Sequence, residues 1–146
     1  WTLGTAPDHD VPLCHPALAP VNFGRKCDRW VFLDWGGAGP GSLLWDLAYA
    51  ASTFVPLVAG GDPLLDGPRL RALADGYGLD EQQRRALPAM IAGHTRGMYD
   101  LLLESSLSGR QPWARLFAEG HGESWGPAAD YIESHLQDWR AAPLAG

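Results

Sequence analysis

Positive charge is scarce in this chain. Lys26 is the single lysine among 146 residues, and 11 basic side chains face 17 acidic ones, for a formal net charge of −6. A surface of that sign disfavours nucleic acid as a partner, and no Lys/Arg-rich run offsets it. Cysteine is nearly absent. Cys14 and Cys27 are too few for a disulfide framework, although two strands side by side would bring the thiols together. No CxxC motif or His/Cys cluster offers zinc ligands. No apolar run reaches the roughly 18 residues needed to span a bilayer, and the N-terminus has no signal-peptide pattern. These absences point to a cytoplasmic chain without a membrane partner. A GxxxxGK[ST] phosphate loop is missing too, so "GGAGPG" at 36–41 is a flexible connector rather than a P-loop.

What is present suits one globular domain, 1–146. Hydrophobic residues make up 46% and charged residues 19%, a composition that folds and buries a core. Seven Trp residues are expected to anchor the interior or line a cleft. Val11 to His15 and Trp30 to Leu33 read as two short strands, with "GRKCDR" as the exposed turn between them. From Leu43 the pattern turns helical. Ser42 is the expected N-cap of "LLWDLAYAASTFV", a helix apolar on nearly all sides and therefore expected to be buried. Asp66 and Pro68 are expected to open a second helix that stops at Gly78. Asp80 and Gln83 resemble a capping box for a long helix to about Leu107, which Pro88 is expected to kink or split. Pro112 opens a short helix, and Pro127 the last one, through Trp139. The expected fold class is α+β, mostly helical: a small β-hairpin leading into a helical bundle.

Four polar positions stand inside apolar surroundings: His15, Asn22, Asp34 and Asp46. Asn22 and Asp34 fall at strand ends that a hairpin brings together. They read either as turn-capping residues or as a hard-oxygen pair for Mg²⁺. Asp46, in the first turns of a helix, reads as complementing the helix N-terminus or as bracing the nearby loop. His94, His121 and His135 lack metal-like pairing and read as surface or satisfied core histidines. Asp100 and Glu104 share a helix face and read as a solvated face or as contacts to a cationic ligand. Trp35 and Trp125 are the tryptophans expected to line a cleft.

"HPALAPVN" at 15–22, "FLDW" at 32–35 and "LWDLAYA" at 44–50 together resemble the aminoglycoside phosphotransferase family, relatives of choline kinases and protein kinases. The family pattern is H-G-D-x-x-P-x-N, then an apolar strand ending in Asp-Trp or Asp-Phe, then a W/Y-D-L-A helix. The tail "QPWARLFAEG…WGPAADYIESHLQDWR" resembles the closing helices of bacterial members. The resemblance implies a protein-kinase-like C-terminal lobe, with ATP and Mg²⁺ as the family's cofactors. It implies that His15 supports the catalytic loop, that Asn22 and Asp34 are metal ligands bridging nucleotide phosphates, and that Asp46 hydrogen-bonds the loop.

Two departures follow. Ala17 stands where the family has its catalytic Asp, and Pro16 replaces the usual Gly. Loss of a general base typically costs about 10²–10⁴-fold, although phosphoryl transfer rests mainly on positioning and electrostatics. The N-terminal lobe, which carries the family's phosphate-gripping lysine, is expected to be absent, and Lys26 sits in a turn on the wrong element to replace it. Asp8 or Asp10 would have to reach the cleft from the far end of the first strand. The resulting expectation is a catalytically degenerate module that binds a small molecule or a partner protein. The alternatives are the C-terminal part of an ATP-dependent phosphotransferase whose other lobe lies on a separate segment or chain, and a repurposed lobe with a non-kinase reaction. An exposed cleft edge would favour a homo-oligomer.

Overall fold

The computed structural model describes residues 12–15 and 17–141. Asp8, Asp10 and Pro16 lie outside the described residues. Four short strands precede six helices: β1 (Leu13–Cys14), β2 (Phe23–Lys26), β3 (Arg29–Phe32), β4 (Gly39–Pro40), α1 (Leu43–Phe54), α2 (Pro63–Tyr77), α3 (Glu81–Ser108), α4 (Trp113–Ala118), α5 (His121–Ser134) and α6 (Leu136–Ala141). The class is α+β and mostly helical, as composition and periodicity indicate.

The strand pairing differs from expectation. β2 pairs antiparallel with β3, Phe23 opposite Phe32 and Lys26 opposite Arg29. Most of "GRKCDR" is therefore strand, and only Cys27 and Asp28 turn, with Cys27 at φ 55°. The aromatics explain the register. Phe23 stacks on Trp30 at 4.8 Å and meets Phe32 at 4.9 Å, its diagonal and its facing neighbour on one hairpin face. The first strand pairs instead with β4, Leu13 opposite Pro40 and Cys14 opposite Gly39. The 36–41 segment is thus no simple connector: Trp35–Gly37 form a 3₁₀ turn and Gly39–Pro40 pair with the first strand. Gly41 closes the contact, since a Cβ there would stand 3.3 Å from Cys14 Sγ. Both thiols are free, Cys14 buried and Cys27 exposed.

Helix boundaries follow local chemistry with some corrections. Ser42 occupies the N-cap position of α1 but makes no side-chain cap bond. Asp46, Leu47, Ala48, Ala50 and Ala51 are buried on α1, whereas Leu43, Trp45 and Phe54 are exposed, so one face is open rather than buried all round. α2 starts earlier than expected: the Asp62 side chain accepts the Leu64 N–H, Pro63 takes the first helical position, and Pro68 lies inside. Pro at that first position loses only an N–H that has no helical partner. Gly78 does stop α2, at φ 76°.

The Asp80–Gln83 capping box is formed in both directions at 2.8 and 2.9 Å. α3 then runs as one helix of 28 residues through Pro88. Pro127 lies within α5 rather than opening it, and the closing helix is two elements, α5 and α6.

The core joins Leu47, Ala48 and Ala51 of α1, Leu70 and Ala74 of α2, Leu87 and Ile91 of α3, Ile132 of α5 and Trp139 of α6. α3 is the central helix, packing on α1, α4, α5 and α6. Tight α3–α5 packing needs Gly126, where a Cβ would approach Tyr99 Cε2 to 2.9 Å. Alongside, Arg96 forks to Asp130 and Glu133 at 2.6–2.9 Å. These bonds push the arginine pKa up and hold the Glu133 carboxyl below its usual range. Among the described residues no helix is long and apolar enough to cross a membrane.

Candidate functional site

His15 and residues 17–22 are tied to α1 and to the end of the hairpin. The backbone N–H of His15 donates to Asp46 Oδ2 at 2.8 Å, joining loop to α1. The His15 ring donates from Nε2 to the Leu33 carbonyl at 2.8 Å, and its Nδ1 accepts from the Ala17 N–H at 3.3 Å. A carbonyl only accepts and a backbone N–H only donates, so the two bonds select the neutral Nε2-protonated tautomer. Thr53 Oγ1 donates to the Leu18 carbonyl at 3.0 Å, a second tie to α1. His15 is 3% exposed, and the Trp35 ring packs edge-on against it at 4.6 Å. Trp35 itself is half exposed and donates its indole N–H to the Phe32 carbonyl.

Asn22 and Asp34 flank the open end of the hairpin, where the Leu33 N–H donates to the Asn22 carbonyl at 2.8 Å. Asn22 Nδ2 donates to the Ala17 carbonyl at 2.9 Å, which leaves its Oδ1 as the available end. Asp34 holds a left-handed backbone, φ 59° and ψ 59°, a conformation Asp tolerates better than most residues. The pair supplies two hard oxygens. Among the described residues no group of three or more His, Cys, Asp or Glu gathers into a metal cage. Two oxygens fit Mg²⁺, which keeps several waters and takes one or two protein ligands beside phosphate oxygens.

The loop opens on a cavity of about 540 Å³ lined by Ala17, Trp45 and Tyr49 of α1, Trp113 of α4, and His94, Gly97, Met98 and Leu101 of α3. The volume lies within the range of small-molecule sites. Ala17 places a methyl, not a carboxylate, at its wall. Asp100 and Glu104 are exposed on α3 and do not line the cavity. Trp125 stands behind it, stacked on Tyr49 at 6.4 Å, and Trp35 lies at the hairpin end. Neither expected tryptophan lines this cavity; Trp45 and Trp113 do.

His94 is the residue that sequence reasoning passed over. It is 6% exposed, and its Nδ1 is buried without a hydrogen-bond partner, so it is neither a surface nor a satisfied core histidine. Its ring lies 4.8 Å from Trp45 and 5.4 Å from Tyr49. Burial pushes its pKa below the ordinary value and raises that of the Tyr49 phenol. The available signal was spacing: His94, Met98 and Leu101 lie at i, i+4 and i+7 on α3, and Trp45 and Tyr49 at i, i+4 on α1.

Burial, and then the Asp46 charge, push the Cys14 thiol up, away from the thiolate form that a nucleophile needs. A second, more open cavity of about 420 Å³ lies between α3, α4 and α5, beside Arg96, Phe117 and Gly126.

No protein-family model matches the chain, and no curated protein or solved structure matches it either.

Proposed function

We propose that this chain is a kinase-like lobe of the aminoglycoside phosphotransferase type, catalytically degenerate and acting as a binding module for a small molecule or a partner protein. The observation that carries the degenerate assignment is Ala17. It borders the cavity at the position the motif reserves for the base, and none of the lining residues is a carboxylate. In this reading Asp46, His15 and Thr53 act as positioning residues that hold the loop. Asn22 Oδ1 and the Asp34 carboxylate would hold Mg²⁺, which when bound neutralises charge on phosphate oxygens.

The same loop favours a second reading, the C-terminal part of an ATP-dependent phosphotransferase. The bonds from His15 to Asp46 and Leu33, and from Asn22 to Ala17, hold the residues on both sides of the position where the motif has its base.

Incubation with Mg²⁺ and labelled ATP in the presence of aminoglycosides, choline-like alcohols or sugars separates the two. The expected result is no transfer of the γ-phosphate above background. Robust turnover by this chain overturns the binding-module reading.

A further inference from the structure

We propose that the cavity bounded by the 15–22 loop, α1, α3 and α4 takes an uncharged, flat aromatic ligand carrying one hydrogen-bonding group, and that His94 is the residue that recognises that group. The proposal deepens the binding-module reading and rests on it.

Shape and charge select the class. Trp45, Tyr49 and Trp113 present rings, Met98 and Leu101 present adaptable apolar surface, and Gly97 and Ala17 keep the walls low. Flat aromatic ligands gain from such rings by stacking or edge contact, and methionine adapts to them. No lining residue carries a charge. An ammonium or carboxylate would therefore give up its water without a counter-ion to replace it. The aromatic faces offer a cation some attraction, but the nearby acids of α3, Asp100 and Glu104, face solvent.

His94 supplies the polar contact. A buried imidazole held neutral has one donor and one acceptor nitrogen, and here Nδ1 finds no protein partner. Buried polar groups without partners are uncommon and call for an explanation. The ring stands at the cavity wall between Trp45 and Tyr49. The side chain can thus offer a nitrogen to whatever occupies the cavity.

The test uses four probes of similar size on the folded chain: naphthol, naphthalene, naphthoate and benzyltrimethylammonium. Binding is followed by amide shifts of Gly97, Met98 and Leu101, and by the His94 imidazole nitrogen signals. Naphthol should bind tightest, and it alone should move the His94 nitrogens. His94→Phe keeps a flat ring and removes the nitrogens. It should weaken naphthol about tenfold, the scale of one well-made hydrogen bond, and leave naphthalene unchanged. Should that variant fail to fold, the nitrogen signals of the unmodified protein decide alone.

Naphthol binding no tighter than naphthalene, or with the His94 signals unmoved, overturns the role of His94. Tighter binding by either charged probe overturns the ligand class. Shifts centred on Phe117 and Gly126, or no shift from any probe, overturn the cavity as the site. ATP-dependent transfer would instead overturn the binding-module reading and leave the ranking of probes intact.

Discussion

The carboxylate of Asp46 accepts the backbone N–H of His15 at 2.8 Å across a separation of 31 residues, and both residues are buried. Its other oxygen, Oδ1, is buried without a partner. Removing the side chain leaves the His15 N–H unsatisfied, which costs about 1–3 kcal/mol. A carboxylate that merely complemented a helix N-terminus on a wet surface would be worth roughly 0.3–1 kcal/mol. Asp46→Ala should therefore lose more than about 1 kcal/mol in a urea titration. Asp46→Asn, which keeps an acceptor, should lose less. Equal small losses in both variants would reduce Asp46 to a helix-end charge.

Tyr131 makes the corresponding tie on the other side of the bundle. Its hydroxyl donates to Asp66 Oδ2 at 2.6 Å, with Asp66 2% exposed. Burial, and then this bond to a carboxylate, push the phenol pKa up. Hydrogen bonds to charged groups contribute about 1.5–3 kcal/mol, so Tyr131→Phe should lower the unfolding free energy by that amount. Arg69 stands 3.4 Å from the other Asp66 oxygen but is half exposed, and it should not rescue the variant. A loss under about 0.5 kcal/mol would mean that the ion pair alone satisfies Asp66.

The burial of His94 has a sign in pH. Its folded-state pKa lies below the ordinary value of 6.5, so in the window between them the unfolded chain binds the extra proton. The stability held by the neutral ring is complete above about pH 6.5 and is lost as pH falls through the lowered folded value. Unfolding free energies at about pH 7.5 and about pH 5 should differ more in the wild type than in His94→Phe. Identical pH dependence in the two proteins would show that the ring titrates as if in water.

Mg²⁺ titration should perturb the amides of Asn22 and Asp34 before any others. It should do so weakly in the absence of phosphate ligands, because Mg²⁺ sheds water reluctantly. Asp34→Asn should abolish the response without lowering stability, since the carboxylate is exposed and stability there is set by backbone conformation. First shifts at Asp62, Asp66 or Asp80 would place the cation elsewhere.

Features encoded by neighbouring residues were legible in the sequence. The Asp80–Gln83 capping box and the Gly78 stop each need only a few adjacent positions, and both are formed. The hairpin register was not legible, because "GRKCDR" is as polar as a turn. Its strand character comes from Phe23 meeting Trp30 and Phe32 across the pair. The start of α2 was misplaced because Pro63 and Pro68 both suit a first turn, and the Asp62 side-chain cap decides between them. The cavity was hidden for a tertiary reason. Ala17, Tyr49, His94 and Trp113 are far apart in the chain, and the i, i+4, i+7 spacing of His94, Met98 and Leu101 reads equally well as an ordinary core-facing stripe of α3.

The clasp of Leu13–Cys14 on Gly39–Pro40 has an architectural consequence. Among the described residues the buried core cluster lies between Leu47 and Trp139, and Leu18 is the residue of the 15–38 segment packed against it. The segment from His15 to Ala38 is therefore a handle on a finished body, shut at its base by two residue pairs. A replacement segment has to remake two hydrogen bonds to α1, the His15 N–H on Asp46 and the Leu18 carbonyl on Thr53, with the Leu18 packing and the Phe23 contact on Phe54 beside them. Whatever else it carries, the helices beneath can stay as they are. The mouth of the cavity is thus built on a segment whose exchange leaves the helical core cluster intact.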